Sequence, residues 1–351
     1  MLKARLYKHQ LLFKQPAGTS RGVLHHKMAY YLMLNHSLNP EIIGIGECGT
    51  IPGLSYDDKP GYEVRLNQLV NDINKMGHLP AFTPGEWPSI DFALETALLD
   101  LASGGKRLLF DTSFTRGRES IPINGLIWMG DENFMLTQLK QKLSQGFKVL
   151  KMKVGALDFN TELRILRHIR TAFLADQITI RLDANGAFKA DEAMGKLEKL
   201  ATFTIHSIEQ PIRQGQVQHL AELCRHSPIP IALDEELIGI NSLEDKTRLM
   251  DSIKPQYIIL KPGLLGGFAA SREWIELARI RNIDWWVTSA LESNIGLNAI
   301  AQWTATLGNP MPQGLGTGSL YTNNPASPLE VKNGALHFNP DIPWDLNLIN
   351  G

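Results

Sequence analysis

Residues 146–156, "GFKVLKMKVGA", have the pattern of a buried strand, yet they carry two lysines. Side chains alternate between the two faces of a strand, so Lys151 and Lys153 share one face and the apolar residues share the other. On an antiparallel strand with one wet face the lysines would be solvated, as most lysines are. What the two lysines do therefore depends on the sheet around them.

Short β-rich segments alternate with helical segments from about residue 120 onward. The predicted strands are "INGLIW", "KVLKMKV", "ITIRLDA", "HSIEQ", "IPIALDE", "YIILKP", "WWVTSA" and, more weakly, "PQGLGTG". This alternation favours parallel strands joined by crossover helices, and eight strands favour a closed barrel of the TIM type. An open doubly wound sheet is the alternative, but no G-x-G-x-x-G motif follows an early strand.

The regions before and after this part of the chain do not show the same alternation of strands and helices. Residues 1–113 combine the strand-like "AYYLMLNH", the turn-rich "GIGECGTIPGLSYDD" and the apolar helix "SIDFALETALLDLAS", which predicts an α+β domain. In the tail, "LEVKNGALHF" places Asn333-Gly334 between alternating apolar residues, a strong signal for a β-hairpin. We therefore expect a domain over 1–113, a barrel over 114–321, and a tail over about 322–351.

The composition favours a small-molecule partner. The chain has 351 residues, 43% hydrophobic and 20% charged, and its net charge of -1 offers no electrostatic reason to bind nucleic acid or an acidic membrane. Cys48 and Cys224 lie far apart without metal-ligand spacing, which favours two reduced thiols. There is no apolar signal region and no run near the ~20 apolar residues that span a bilayer. We expect a cytoplasmic protein, and its oligomeric state is open.

A parallel barrel leaves neither face of its strands in open water, because helices cover one face and the barrel interior holds the other. Leu150, Met152 and Val154 would then pack under helices. Lys151 and Lys153 would point into the interior, near the mouth where the strands end. Buried lysines require partners or a function.

The next four predicted strands each end in a charged residue, namely Asp183, Glu209, Asp234 and Lys261. Taken singly, each carboxylate has a local explanation, such as an Asx turn at Asp183, a strand end at Glu209 or a cap at Asp234. Taken together, three carboxylates at one mouth repel each other unless a cation binds them. Their hard oxygen atoms suit Mg²⁺.

The ordered motifs K-x-K, D-x-N, E-Q-P, D-E and K-P-G resemble those of the enolase superfamily, and specifically its muconate-lactonizing-enzyme-like subgroup, over nearly the whole chain. The resemblance implies an α/β fold in which a modified TIM-type (β/α)7β barrel carries an α+β capping domain, to which the C-terminal tail returns. It implies Mg²⁺, with Mn²⁺ as a substitute, and a small-molecule carboxylate substrate. The implied metal ligands are Asp183, Glu209 and Asp234, and the implied acid/base residues are Lys153 and Lys261 on opposite faces of the substrate, with Lys151 supporting Lys153 electrostatically.

That arrangement has a physical reason. Removing a proton α to a carboxylate leaves an enediolate, and Mg²⁺ with nearby cations offsets its negative charge as it develops. A lysine must be neutral to accept the proton, and desolvation together with neighbouring positive charge moves a lysine pKa down from ~10.4.

Substrate-contacting residues are predicted from three loops. Thr19, Ser20 and Arg21 suit a substrate carboxylate, with a solvated turn as the alternative. The glycines after Lys261, starting with Gly263, precede a helix N-terminus where backbone N–H groups can receive a carboxylate. The seventh strand is followed by Ser289, Glu292 and Ser293, although Ser293 with Asn294 is equally suited to cap the next helix.

The eighth strand narrows the substrate class. Dipeptide epimerases of this subgroup carry an acidic D-x-D motif there, whereas this chain has "GLGTGSLY" without a carboxylate. "PAGTSRG" and "GECGTIPGLS" are most similar to the dehydratases of menaquinone biosynthesis, which implies syn-dehydration of 2-succinyl-6-hydroxy-2,4-cyclohexadiene-1-carboxylate to 2-succinylbenzoate. N-acylamino acid racemase and muconate-type cycloisomerase activities use the same residues and stay as alternatives, as does a non-catalytic ligand-binding barrel.

Overall fold

A computed structural model describes residues 1–19 and 22–347. The first part of the chain forms a cap made of β1 (Leu2–Thr19), β2 (Gly22–His36), β3 (Asn39–Cys48), α1 (Tyr62–Met76) and α2 (Pro88–Ala102). The three strands form an antiparallel sheet in the order β1-β2-β3. The two helices cover this sheet, and their apolar residues share a core with it.

The first third of the predicted turn-rich segment is a strand, so that prediction was wrong for residues 44–48. Gly44 and Gly46 allow the strand to pack closely against α2 and do not form turns. A Cβ at Gly44 would lie 2.1 Å from the carbonyl oxygen of Ala97, and one at Gly46 would lie 1.9 Å from that of Ala93. Glycine therefore lets β3 lie directly on α2.

Seven parallel strands follow each other around the barrel in chain order, each hydrogen-bonded to the next. After a short strand β4 (Ile121–Pro122), they are β5 (Gly125–Ile127), β6 (Val149–Lys153), β7 (Thr179–Asp183), β8 (Ser207–Glu209), β9 (Ile231–Leu233), β10 (Tyr257–Leu260) and β11 (Asp284–Val287). The intervening helices are α3 (Glu132–Ser144), α4 (Phe159–Ala172), α5 (Ala190–Ala201), α6 (Val217–His226), α7 (Leu243–Ile253), α8 (Pro262–Leu265), α9 (Gly267–Arg279) and α10 (Asn294–Ala305).

The weak eighth strand closes the barrel. Gly314 forms a parallel bridge with Thr288 after β11, and Gln313 forms one with Ile123 before β5. Pro312 cannot donate a ladder hydrogen bond and glycine is a poor strand former, so this segment stays shorter than the other seven. The closure confirms the predicted (β/α)7β barrel and rules out the open sheet.

The predicted hairpin is present as β12 (Leu329–Lys332) and β13 (Ala335–Phe338). Its turn residues, Asn333 and Gly334, have left-handed φ values of 52° and 71°, which this type of turn requires. The hairpin pairs with β4 at the entry to the barrel rather than with the cap sheet.

Other parts of the tail do contact the cap. The backbone N–H of Thr322 donates to the carbonyl oxygen of Leu12 at 2.9 Å, and Tyr321 forms an antiparallel bridge with Phe13. The boundaries 113/114 and 321/322 stay predictions.

The barrel core explains the alternation around the two lysines. Leu150, Met152 and Val154 are fully buried among the apolar residues of the strands and surrounding helices. The lysines between them point to the other side, into the barrel, as the pattern predicted. Over the described ranges, no helix combines the length and apolarity that crossing a membrane would need.

Candidate active site

The charged strand ends meet at one mouth of the barrel. Lys153 pairs in register with Asp183, and Asp183 with Glu209, across β6, β7 and β8. Asp234 directly follows β9, and Lys261 directly follows β10. Parallel strands end on the same side of a barrel, so neighbouring strands bring these five side chains together.

Lys151 and Lys153 are buried in the barrel interior, with 7% and 9% of their surface exposed. The Nζ atom of Lys151 lies 2.9 Å from Oδ2 of Asp183 and 2.6 Å from Oε2 of Glu209. The Nζ atom of Lys153 lies 3.0 Å from the same oxygen of Asp183. Carboxylates of the next two strands therefore supply the partners that two buried ammonium groups need.

Lys261 forms an ion pair with Asp234 on the far side of the mouth. It follows the sixth strand of the barrel, whereas Lys153 ends the second. In a barrel of eight strands these positions lie on opposite walls. A ligand between them would have one ammonium group on each face.

Asn185 links three of the motifs. The backbone N–H of Asn185 donates to Oδ1 of Asp183 at 3.1 Å. Asp183 therefore forms the Asx turn that was its local explanation, while its Oδ2 atom binds the lysines. The side chain of Asn185 accepts a hydrogen bond from Lys153 and donates to Oε1 of Glu235 at 3.0 Å. The motifs D-x-N and D-E contain Asn185 and Glu235, but neither was predicted as a site residue.

Gln210 explains why a glutamine follows Glu209. Its side-chain carbonyl accepts hydrogen bonds of 3.3 Å from the backbone N–H groups of Asp234 and Glu236, and its amide donates to Ile212. Gln210 thus ties the end of the fourth strand to the end of the fifth. It positions two of the carboxylates relative to each other.

The mouth has strong electrostatic coupling. Burial alone raises the pKa of Asp183, but the lysine ammonium groups outweigh burial and hold that pKa below its ordinary value. Burial, reinforced by Asp183, raises the pKa of Glu209, and burial raises the pKa of Asp234 despite Lys261. Burial lowers the pKa values of Lys151 and Lys261, but their carboxylate partners raise both above the ordinary value. Both lysines are therefore held in the charged form.

The donor set suits a hard divalent cation. Atom Oδ1 of Asp234 is buried and accepts no hydrogen bond from the described residues, which leaves a carboxylate oxygen for a further cation. Across residues 1–19 and 22–347, however, no three His, Cys, Asp or Glu side chains stand together as a ready metal cluster, since Lys151 lies between two of the carboxylates. The chemistry of the residues fits Mg²⁺, and the ligand assignment stays a prediction.

A cavity of about 860 Å³ lies above the lysines, between the barrel mouth and the cap. Lys151, Lys153 and Lys261 line it from the barrel. Its cap side is formed by Pro16, Ala17 and Leu24 of the first hairpin and by Ile51, Pro52 and Leu54 of the loop after β3. The cap therefore encloses the space next to the charged cluster.

The predicted substrate-contacting residues that the structure describes in full divide into two groups. Ser289 lines the cavity, and its hydroxyl lies 2.7 Å from that of Thr317. Gly263, Glu292 and Ser293 lie outside the set of described residues that line the cavity. A Cβ at Gly263 would lie 2.6 Å from Oε1 of Glu292, so that carboxylate fills the place next to the glycine.

Ser293 caps α10, with its hydroxyl accepting from the backbone N–H of Ile295 at 3.2 Å, which was the alternative to substrate binding. Ser20 and Arg21 lie outside the described residues, and the side chain of Thr19 is likewise not described. Their contact with substrate stays a prediction.

Comparison with known proteins agrees with this geometry. A family model described as "Enolase C-terminal domain-like" matches residues 135–343. An o-succinylbenzoate synthase of Desulfotalea psychrophila is 48% identical over 360 aligned positions, which cover 94% of this chain and 97% of that protein. An N-succinylamino acid racemase of an Amycolatopsis species is 25% identical and covers 83% of this chain and 79% of its own.

Solved structures show the same fold. The crystal structure of MenC from Desulfotalea psychrophila LSv54 superimposes with a TM-score of 0.84 and 43% identity, covering 96% of this chain and 99% of that one. A dipeptide epimerase from Enterococcus faecalis has a TM-score of 0.81 at 18% identity, with coverage of 97% and 98%, which shows the fold alone. With its capped barrel and its match to the family model, the chain belongs to the enolase superfamily.

Proposed function

We propose that this enzyme is an o-succinylbenzoate synthase, which dehydrates 2-succinyl-6-hydroxy-2,4-cyclohexadiene-1-carboxylate to 2-succinylbenzoate in menaquinone biosynthesis. The observation that carries the proposal is the 48% identity to a synthase of this kind along nearly the full length of both chains. The site supports the reaction class, because Lys153 and Lys261 stand on opposite walls of one cavity.

Lys153 is proposed as the base. In the neutral form of Lys153, the Nζ atom takes the proton from the ring carbon that bears the carboxylate, and the electron pair of that C–H bond forms the last double bond of the aromatic ring. The C–O bond to the hydroxyl group breaks on the same face, and the proton on Lys153 leaves with the hydroxide as water. One group thus serves as base and then as acid.

Lys261 is proposed to stay protonated on the other face. Its pKa is raised by Asp234 and its neighbours, so it provides a fixed positive charge while the substrate carboxylate gains electron density. Lys151, held by Asp183 and Glu209, adds a second fixed charge beside the base.

We further propose Asp183, Glu209 and Asp234 as ligands of Mg²⁺, with Mn²⁺ as a substitute. The ion, when bound, supplies electrostatic stabilisation to the carboxylate during proton removal. The Oδ1 atom of Asp234, unpaired among the described residues, supports this. So does the excess of acidic groups at the mouth, where three lysines of the described chain face four carboxylates, Asp183, Glu209, Asp234 and Glu235.

Racemisation of an N-acylamino acid is the second candidate. The same pair of lysines suits it, since one could remove a proton from one face and the other could return a proton to the opposite face. The similarity to an N-succinylamino acid racemase, at 25% identity, supports this alternative.

The deciding experiment offers both substrates to the purified protein with Mg²⁺. We expect aromatic absorbance to rise with the cyclohexadiene substrate much faster than N-succinylamino acids exchange their α-proton with solvent deuterium. Faster exchange than dehydration would make racemase the better description, and neither activity would leave a ligand-binding barrel.

The remaining proposals concern the cellular location and the binding partners. Both cysteines are buried and free, which supports a reducing, cytoplasmic location. We propose a small-molecule carboxylate as the partner, with no nucleic acid and no membrane.

A further inference from the structure

Two glycines of the eighth strand line one side of the cavity. The carboxylates end the third to fifth strands, and across the barrel from them lie the seventh, eighth and first. There Gly314 and Gly316 line the cavity, together with Leu126 of the first strand and Trp128 directly after it. A ligand whose reacting end meets the carboxylates and lysines therefore directs its other end towards this side.

Asn124 lies beside this space, directly before β5. Its backbone N–H donates to the carbonyl oxygen of Gln313 at 3.0 Å and so takes part in closing the barrel. Its side chain lines the cavity with only 5% of the residue exposed, and Oδ1 has no hydrogen-bond partner among the described residues. Nearly all buried polar side chains are hydrogen-bonded, so this amide calls for a reason.

Thr288 lies on the other side of the eighth strand and also lines the cavity. Its Oγ1 atom is buried and unpaired within the part of the chain that the structure describes. The neighbouring hydroxyl groups of Ser289 and Thr317 bind each other at 2.7 Å. Of these polar side chains in the cavity wall, Ser289 and Thr317 are thus hydrogen-bonded to each other, whereas Oδ1 of Asn124 and Oγ1 of Thr288 have no partner among the described residues.

We propose that Asn124 and Thr288 form a neutral hydrogen-bonding subsite for the oxygen atoms of the substrate's succinyl arm. This rests on the proposed function and deepens it. An amide and a hydroxyl can both donate after a side-chain rotation, and they match an arm that carries a ketone and a carboxylate. Neither group is required for proton transfer, so their role is binding and specificity.

The test compares two aromatic ligands by calorimetry in the presence of Mg²⁺: 2-succinylbenzoate, which has the arm, and benzoate, which lacks it. Asn124→Leu and Thr288→Val remove the polar groups at similar volume. We expect each to weaken binding of 2-succinylbenzoate about tenfold, the size of one lost hydrogen bond, and to leave benzoate unchanged. Asn124→Asp should weaken it further, because a carboxylate repels the arm.

Kinetics give a second readout. Each variant should raise KM for the cyclohexadiene substrate with kcat nearly unchanged, as expected when binding is lost equally in the ground and transition states. Wild-type affinity for 2-succinylbenzoate in both variants would overturn the subsite, as would an equal loss for the two ligands, which indicates a structural role. Because the calorimetry needs no turnover, an inactive wild type that still discriminates the arm would reject the proposed reaction and keep the subsite.

Discussion

Two clusters of buried carboxylates in this molecule are neutralised in different ways. At the barrel mouth, buried carboxylates meet lysine ammonium groups. At the junction of cap and barrel, Glu47 at the end of β3 is only 1% exposed, yet no lysine pairs with it among the ion pairs of the described residues. Its oxygens accept from the backbone N–H groups of Ser293 and Gly296 at 2.7 and 2.9 Å, and from the hydroxyl of Ser293.

The difference lies in what the partners face. The N–H groups at the start of α10 are held by the helix, carry the positive end of its dipole and donate to Glu47. The lysine ammonium groups at the mouth face a cavity. We infer that the N–H groups of α10 hold the cap on the barrel, while the lysines are available for chemistry.

The largest expected effect is at the mouth. Lys153→Arg should lose essentially all dehydration, by about 1000-fold or more, because arginine stays protonated and cannot act as the base. Lys261→Arg keeps the fixed charge and should retain measurable activity. The rates are followed by aromatic absorbance.

Substrate affinity must be measured for both arginine variants, because the larger guanidinium group can displace substrate. If both bind substrate normally and lose dehydration equally, the two lysines do not have the separate roles proposed here.

Removal of divalent metal should abolish activity, and Mg²⁺ should restore it. Asp234→Asn should weaken Mg²⁺ binding in calorimetry because it removes a charged oxygen ligand, with Glu235 beside it limiting the loss. Glu222→Gln, an exposed acidic residue on α6, is the control and should leave metal affinity unchanged. Full activity in metal-free protein would contradict the metal prediction.

At the junction, the expected effect is on stability. Glu47→Ala should lower the free energy of unfolding by about 3 kcal/mol, because it leaves buried N–H groups of α10 without an acceptor. Glu222→Ala removes exposed ion pairs and should change it by less than about 0.5 kcal/mol. Denaturant unfolding measures both, and equal values would show that Glu47 does not anchor the cap.

The smallest expected effect is the difference in stability cost between two helix-capping serines, only one of which also contacts Glu47. Ser242 caps α7 on the surface by accepting from the backbone N–H of Asp245 at 3.0 Å, so Ser242→Ala should cost about 1 kcal/mol. Ser293 caps α10 and also donates to Glu47, so Ser293→Ala should cost about 2 kcal/mol. In a Glu47→Ala background the two serine substitutions should become equal in cost, and a persisting difference would place the extra energy elsewhere.

The mouth was easier to predict than the junction, and the reason is physical. Strand alternation places Lys151 and Lys153 on one face, and parallel strand order carries Asp183, Glu209 and Asp234 to the same edge, so each position follows from its own short segment. Glu47 and Ser293 are 246 residues apart, and no local pattern relates them. Ser293 was accordingly predicted either to contact substrate or to cap a helix. Its hydrogen bond to Glu47 of the capping domain was not predicted.

Other omissions had a local signal. Helix α1 has apolar residues at Leu66, Leu69 and Ile73, a helical spacing that faces the cap sheet, yet it was not predicted. Asn185 was visible within the D-x-N motif. Its bond to Glu235 was not, because that contact depends on how closely the third and fifth strands approach.

By itself the sequence determined the order of strands and helices, the face on which each strand side chain lies, and the set of charged groups at the strand ends, since these follow from local periodicity and turn chemistry. Only the tertiary structure decided how the barrel closes at Gln313 and Gly314 and which carboxylate pairs with which lysine. It also decided which polar groups, such as Asn124 and Thr288, line a cavity without a hydrogen-bond partner among the described residues. Those features depend on distances between segments far apart in the chain, which packing alone sets.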